Sequence, residues 1–131
     1  MFTGIVTNLA NIENLTKNQD QDLLIRLSLL SKEITDRNLE IGCSVSCNGV
    51  CLTLIKKEEQ GDLLFLDFQA SKESILKTNI KYWQINDKIN IEFALRAGDE
   101  LGGHLVSGHI DDIVKIKSIE KIDESLCFSF E

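Results

Sequence analysis

The chain has 131 residues, a length typical of a single domain. Its apolar fraction of 43% and mean hydropathy of −0.04 indicate a folded chain rather than a disordered one. No apolar run approaches the ~18 residues of a membrane-spanning helix, and the start lacks the features of a signal peptide, so we expect a cytoplasmic protein with no membrane partner. The net charge of −7 disfavours a nucleic-acid partner, which would require a basic face.

Strands are predicted at the start of the chain. Residues 2–15 carry β-branched side chains in partial alternation and predict a strand, followed by a turn at residues 17–20. Residues 22–30 place leucine or isoleucine at every second position, which predicts a strand with one apolar face. Residues 31–39 predict a short helix that Ser31 caps.

The middle of the chain contains the clearest turn signal. Asn48-Gly49 separates two apolar, β-branched runs and suits the type I′ turn of a hairpin. A second turn is predicted at residues 61–62, and a strand at residues 63–69. Residues 71–79 predict a short helix with a serine N-cap.

The last strand of this series is predicted at residues 88–96, after a turn at residues 86–87. Its isoleucine, phenylalanine and leucine side chains alternate cleanly with polar ones. Short strands with turn residues every ~8 to 12 positions, together with two short helices, predict a small closed antiparallel barrel.

An internal repeat appears beyond that barrel. Residues 107–121 match residues 3–17 at an offset of 104 positions, with Gly108 on Gly4 and four apolar residues on four apolar residues. A match of this length with a coincident glycine indicates duplication.

The repeat continues after a slip of one residue. Residues 125–130 then fall on residues 22–27, and the glycine-rich residues 98–103 read as a linker. The periodicity predicts a natural protein of two similar barrels, of which this chain holds the first and the start of the second.

The cysteines support several interpretations. They are Cys43, Cys47, Cys51 and Cys127. Two disulfides are possible by number, but a cytoplasmic chain favours free thiols. The first three could bind zinc with His104 or His109, yet the spacing is not that of a zinc knuckle and a hairpin turn splits the trio. We therefore expect small buried apolar residues and no metal.

The two histidines lie five positions apart in a glycine-rich segment. His104 and His109 could shuttle protons, and the glycines would allow a ligand to approach the backbone closely. Surface histidines are equally compatible with the spacing alone. The motifs of a phosphate loop and of a serine hydrolase elbow are both missing from the sequence.

Four segments carry a resemblance to a known family. They read MFTGIV at the start, SVSCNGVCLTL at 44–54, ASKESILKTN at 70–79 and GGHLVSGHID at 102–111. In this order and spacing the chain resembles riboflavin synthase of the alpha type, which has two lumazine-binding barrels.

The resemblance implies a fold and a domain division. Residues 1–97 are expected to form an all-β, six-stranded antiparallel Greek-key barrel with two short helices. Residues 98–131 are expected to form a linker and the first strands of a second lumazine-binding barrel. The family is a homotrimer, and we expect this shorter chain to be a homodimer of low activity, because the second barrel contributes half of each site.

The resemblance also implies a reaction that needs no cofactor. Two molecules of 6,7-dimethyl-8-ribityllumazine exchange a four-carbon unit and give riboflavin and 5-amino-6-ribitylaminouracil, the last step of riboflavin biosynthesis. Such a transferase holds two rings face to face, so proximity and proton transfer carry the catalysis.

Site residues follow from the family motifs. The chemical set is Ser44, Cys51, His104 and His109. The ligand-binding set is Phe2, Gly4, Ile5 and Val6, then Cys51, Leu52 and Thr53, then Gln69, Ala70, Ser71, Lys72, Glu73 and Ser74, and finally Gly108, His109 and Ile110. The family often has Asp at the place of Gln69 and Pro at the place of Lys72.

Two alternatives stay open at this point. A non-catalytic lumazine- or flavin-binding protein of the same fold would lack members of the chemical set, all of which are present here. An oligonucleotide-binding barrel would need basic and aromatic platforms, which the composition disfavours.

Overall fold

The computed structural model describes residues 1–34 and 39–131. The strands of its closed barrel are β1 (Asn8–Lys17), β2 (Leu23–Leu30), β3 (Ser44–Cys47), β4 (Val50–Gln60), β5 (Leu63–Ala70) and β6 (Lys88–Phe93). They neighbour one another in the order β1-β2-β5-β4-β3-β6, and every pair is antiparallel. The predicted six-stranded all-β barrel is confirmed.

The strand order is that of a Greek key. Strands β3, β4 and β5 are consecutive neighbours, and β6 returns to lie beside β3. Strand β1 closes the ring between β2 and β6. Closure leaves these six strands with paired neighbours on both sides, which removes open edges from the barrel.

The interior is filled by the alternating apolar residues of the strands. Ile25 and Leu27 of β2 and Ile89 and Ile91 of β6 are almost completely buried. Each such side chain stabilises the fold by about 1.5–3 kcal/mol relative to an exposed position. The alternation predicted over residues 22–30 and 88–96 therefore identifies the core face correctly, although the last strand ends at Phe93 rather than at residue 96.

The turn and the second helix form where they were predicted. Asn48 and Gly49 have φ values of 49° and 88°, as a type I′ turn requires. Helix α1 (Lys72–Lys77) begins after Ser71, whose hydroxyl accepts a hydrogen bond from the Ser74 amide at 3.2 Å. A 3₁₀ turn, Asn79–Tyr82, follows it.

The first predicted helix is shorter than expected. Only a 3₁₀ turn, Ser31–Ile34, is present at its start. Residues 35–38, which the prediction also covered, lie outside the described residues. None of the helices in the described part of the chain is long and apolar enough to span a membrane.

The first strand begins later than predicted. It starts at Asn8 rather than at residue 2 and continues to Lys17. The residues before it pair with a distant segment instead, because Phe2 and Val106 exchange two backbone hydrogen bonds of 2.8 and 2.9 Å. This pairing draws the N-terminal segment, residues 1–6, across the outside of the barrel.

A separate hairpin follows the barrel. Strands β7 (Ile116–Ile122) and β8 (Ser125–Phe130) pair only with each other among the described residues. Their register shifts between Ile116 and Ser118, and the register of β1 with β2 shifts between Ile12 and Asn14. Ile116 and Ser118 are the counterparts of Ile12 and Asn14 in the internal repeat, so the register shifts at the same place in both copies.

The rest of the pairing repeats as well. Ile12 pairs with Leu27, and its counterpart Ile116 pairs with Phe130. The two coincident glycines adopt the same backbone conformation, with φ of 82° at Gly4 and 80° at Gly108. The repeat seen in the sequence is therefore also a repeat of local structure.

Candidate functional site

One outer face of the barrel gathers several of the predicted residues. Directly paired residues of neighbouring strands share a face of the sheet. Ser44 pairs with Thr53, and Thr53 pairs in turn with Gln69. Cys51 lies two residues before Thr53 and so on the same face, while Leu52 between them is buried in the core.

A chain segment crosses this face. We call residues 102–110 the return segment. The His104 amide donates to the Thr3 carbonyl at 2.9 Å, and the Cys51 amide donates to the Gly108 carbonyl at 3.2 Å. The return segment is thus fixed at one end to the N-terminal segment and at the other end to the hairpin of β3 and β4.

Two glycines permit this close approach. A Cβ at Gly108 would lie 2.7 Å from Cε2 of Phe2 and 3.0 Å from Cβ of Cys51. A Cβ at Gly103 would lie 2.5 Å from the Thr3 carbonyl oxygen. A side chain at either position would force the segment away from the barrel.

A cavity of about 350 Å³ lies between the hairpin, helix α1 and the return segment. Its lining is Val50, Cys51, Glu73, Ser74, Lys77, Thr78, Ser107, Gly108, His109 and Ile110. The volume is within the usual range for small-molecule sites. The lining offers a thiol, hydroxyls, a carboxylate, an ammonium group and an imidazole beside apolar surface.

A second cavity of about 700 Å³ adjoins the first, because both are lined by Val50, Thr78 and Ile110. Its further lining is Asn48, Asn79, Tyr82, Ile113, Val114, Lys115 and Glu131. The two cavities together follow the return segment and the residues after it along the outside of the barrel.

Charged groups at the first cavity are exposed and weakly paired. His109 Nε2 lies 3.7 Å from Asp111 Oδ1, and Lys77 Nζ lies 4.0 Å from Asp112 Oδ2. Both contacts are on the solvent side, where charged groups contribute little to stability. The imidazole and the ammonium group are therefore available to an entering ligand.

The thiols differ in their surroundings. All four cysteines are free, and Cys51 is half-buried at the cavity. Burial raises the pKa of the Cys47 thiol and, to a lesser extent, that of Cys43. No group of three potential metal ligands is found within residues 1–34 and 39–131.

Comparison with known families decides the classification. The family model described as Lumazine binding domain matches residues 3–94. The chain belongs to the lumazine binding domain family. The matched residues are those of the closed barrel, so the cavity described above is on a lumazine-binding barrel.

Several proteins similar to this chain are riboflavin synthases. The enzyme of Brucella abortus is 38% identical over 125 residues, which are 95% of this chain and 59% of that protein. The enzymes of Buchnera aphidicola and Escherichia coli are 36% and 34% identical, and the matches cover 57% and 53% of those proteins. The chain therefore spans a little over half the length of these relatives.

Solved structures share the fold. LumP complexed with flavin mononucleotide and LumP complexed with 6,7-dimethyl-8-(1'-D-ribityl) lumazine superpose with TM-scores of 0.71 and 0.70. Each is 24% identical to this chain and covers 96% of it and 66% of the LumP chain. At this identity the likeness establishes the barrel architecture.

The lumazine-binding barrel brings part of the predicted site together at the smaller cavity. The predicted residues that line it are Cys51, Glu73, Ser74, Gly108, His109 and Ile110. Ser44, Thr53 and Gln69 are on the same outer face as Cys51 but do not line the cavity. The side-chain amide of Gln69 donates to a carboxylate oxygen of Asp22 at 2.7 Å.

Other predicted residues lie elsewhere. Phe2, Leu52 and Ala70 are buried in the protein and do not line the cavity. Ser71 and Lys72 are exposed at the start of α1 and do not line the cavity.

The remaining predicted residues belong to the N-terminal and return segments. Gly4, Ile5 and Val6 are exposed, away from the cavity. His104 is also exposed and is held by its backbone beside Thr3 rather than in the cavity lining.

Sequence reasoning missed four lining residues, Val50, Lys77, Thr78 and Ser107. The helical spacing contains a signal for two of them, because Lys77 and Thr78 follow Glu73 and Ser74 by four residues and so share their face. Ser107 precedes Gly108 directly, and its inclusion follows once the return segment is known to cross the hairpin.

Proposed function

We propose that this lumazine-binding barrel binds 6,7-dimethyl-8-ribityllumazine in the 350 Å³ cavity. The main observation behind the proposal is the hydrogen bond between the Cys51 amide and the Gly108 carbonyl. It holds the hairpin of β3 and β4 against the return segment, and both line the same cavity. Polar groups of the lining would fix the edge of the ring, and the apolar side chains of Val50 and Ile110 would cover its faces.

We further infer the activity of the whole protein. It is a riboflavin synthase, a transferase that converts two lumazine molecules into one riboflavin and one 5-amino-6-ribitylaminouracil by moving a four-carbon unit from one ring to the other. Support comes from relatives of that name at 34–38% identity. The presence of the full chemical set makes the non-catalytic alternative the weaker one.

The proposed roles follow the groups available. Cys51 and His109 face the ligand space, where a thiol can add to an electron-poor ring and an imidazole can accept and return a methyl proton. Ser44 is on the same outer face as Cys51, and His104 is held beside Thr3. Both would complete the chemical set. The protein would hold two rings in contact, which converts a bimolecular step into one within the complex.

The proposed domain division is a barrel over residues 1–97 and a linker with the first strands of a second barrel over residues 98–131. Its support is the repeated register of the two hairpins, with the bulge at the same position in each. A cytoplasmic location is proposed with it, which the four free thiols favour.

A two-fold relation between the repeats supports a role for the N-terminal segment. Phe2 pairs with Val106, its own counterpart in the repeat. Because Gly108–Ile110 lines the cavity of the first barrel, the matching residues of the first copy would line the cavity of the second barrel. Those residues are Gly4, Ile5 and Val6, and all three are exposed here.

Ligand binding is tested by titrating the chain with 6,7-dimethyl-8-ribityllumazine and following fluorescence. We expect saturable binding, and a roughly fivefold weaker affinity for Thr53→Ala, because one lost hydrogen bond costs about 1 kcal/mol. Thr16→Ala, an exposed threonine of β1, is the matched control. An unchanged affinity of Thr53→Ala would show that the ligand does not extend from the cavity to Thr53, and no binding by the natural sequence would refute the proposal.

The assembly is part of the proposal. The family forms homotrimers, and this chain would form a homodimer through the face of β7 and β8, where Ile116, Phe128 and Phe130 are exposed. Sedimentation should give a dimer that Phe128→Lys dissociates, and riboflavin formation far below that of a two-barrel relative. A monomer at high concentration, or full turnover, would contradict it.

A further inference from the structure

A buried carboxylate lies beneath the N-terminal segment. Glu92 of β6 is 7% exposed, although its position in the strand alternation points it away from the core. Its side chain accepts hydrogen bonds from the Thr3 amide, from the Thr3 hydroxyl at 2.8 Å and from the Gly4 amide at 3.1 Å. All three donors are neutral groups of the same two residues.

Such an arrangement is specific for a carboxylate. Burying a charged group is unfavourable unless hydrogen bonds replace the lost water, and bonds to an ionised acceptor are the stronger ones. A glutamine has only one acceptor oxygen, and its other terminal atom is an NH₂ group, which can only donate. At least one of the three donors would therefore face another donor and lose its hydrogen bond. Glu92 therefore fixes the backbone at Thr3 and Gly4 in a way that its amide analogue cannot.

The fixed backbone is connected to the cavity by two routes. The Thr3 carbonyl accepts the His104 amide at 2.9 Å, which anchors the beginning of the return segment. The ring of Phe2 lies against Gly108, whose carbonyl accepts the Cys51 amide. A shift of the N-terminal segment would therefore move both the start and the cavity end of the return segment.

We propose that Glu92 is a positioning residue for the ligand cavity. It acts by holding Thr3 and Gly4 where Phe2 can support Gly108. Its effect on lumazine affinity rests on the function proposed above, whereas its effect on the return segment does not.

The first arm of the test measures amide hydrogen exchange in the 131-residue chain by NMR. In Glu92→Gln the amides of Gly4, His104 and Cys51 should exchange about tenfold faster or more, with the amides of β2 unchanged. Glu59→Gln, which removes an exposed charge from β4, should leave all of these rates unchanged. Equal acceleration of the β2 amides would show general destabilisation and overturn the proposal.

A milder pair of variants keeps the test valid if Glu92→Gln fails to fold. Thr3→Val removes one of the three donors and should accelerate exchange at His104 and Cys51 by a few-fold. Thr3→Ser keeps the hydroxyl and should restore the natural rates. Identical rates in Thr3→Val and Thr3→Ser would contradict a role for the bond to Glu92.

The second arm measures lumazine affinity at a temperature where every variant is folded. Glu92→Gln should bind about tenfold more weakly than Glu59→Gln. Faster exchange with unchanged affinity would overturn the role of Glu92 at the cavity. If the natural sequence does not bind lumazine, the proposed function fails, and the exchange comparison still decides whether Glu92 positions the return segment.

Discussion

The hairpin of β1 and β2 and the hairpin of β7 and β8 have the same strand register, but the first is buried in the barrel core and the second is exposed to solvent. Ile12 is 0% exposed and its counterpart Ile116 is 56% exposed, although both begin the same bulge. In the first hairpin the apolar side chains face the interior of a closed barrel. In the second, the equivalent side chains of β8, Phe128 and Phe130, face solvent.

This difference separates what local sequence determines from what tertiary contact determines. The bulge and the register are set within about 15 to 20 residues, by a turn and an apolar pattern, since they form in both settings. Burial depends on strands from elsewhere in the chain. A two-stranded hairpin alone is marginally stable in water, so β7 and β8 need a cover to reach the stability of β1 and β2.

Identical substitutions in the two hairpins give the largest expected difference. Ile12→Ala should lower the free energy of unfolding by about 2–5 kcal/mol, because it leaves a cavity in the packed core. In the monomer, at protein concentrations below those at which the proposed dimer forms, Ile116→Ala should change it by less than about 0.5 kcal/mol, as an exposed substitution does. Urea denaturation of both variants checks this, and equal losses would mean that β7 and β8 are covered in solution.

The paired glycines provide a second contrast. Gly4→Ala and Gly108→Ala both place a side chain at positive φ, so both carry the backbone strain. Only Gly108→Ala also brings a Cβ within 3 Å of Phe2, whereas at Gly4 the nearest atom is 3.9 Å away. Gly108→Ala should therefore be less stable than Gly4→Ala by about 1–3 kcal/mol in the same denaturation experiment. A smaller loss for Gly108→Ala than for Gly4→Ala would contradict the packing of the return segment.

The cysteines give the smallest of these effects and a dependence on pH. Burial raises the pKa of Cys47 above its ordinary value of 9.0, so the folded chain keeps a proton that the unfolded chain releases in alkali. Stability should therefore be unaffected at neutral pH and should fall above pH ~9 by up to about 1.4 kcal/mol per pH unit.

The measurement compares denaturation of the natural sequence and of Cys47→Ala at several pH values. The variant should be less stable near pH 7 but lack the additional alkaline loss. Cys127→Ala, which removes an exposed thiol from β8, is the control and should keep that loss. Parallel curves for the natural sequence and Cys47→Ala would show that the thiol is not buried in solution.

The barrel could be predicted where residues act on near neighbours. The period-two pattern of residues 22–30 and 88–96 fixes which face is buried, because the pleat permits only one choice. Asn48-Gly49 fixes a turn for the same kind of local reason, and the coincidence of Gly4 with Gly108 revealed the repeat before any pairing was known.

The rest depends on contacts across the chain. Residues 2–7 have the composition of a strand, yet Phe2 pairs with a residue 104 positions away, and no local pattern contains that information. Glu92 appeared as an ordinary outward position of an alternating strand, because nothing near it in sequence indicated that the N-terminal segment would cover it. The motifs likewise identified candidate site residues. They did not show which of those residues line the same cavity, because that depends on where the return segment crosses the hairpin.

The distance in sequence between β1 and its partner β6 also affects the nascent chain during synthesis. Strand β1 is made before the others and is followed directly by its neighbour β2, but its second neighbour β6 is about 75 residues later in the chain. At a ribosomal rate of about 5–20 residues per second, one edge of β1 stays open for roughly 4–15 s. The nascent chain is then most exposed to edge-to-edge aggregation, and slower translation of residues 60–93 should increase the aggregated fraction.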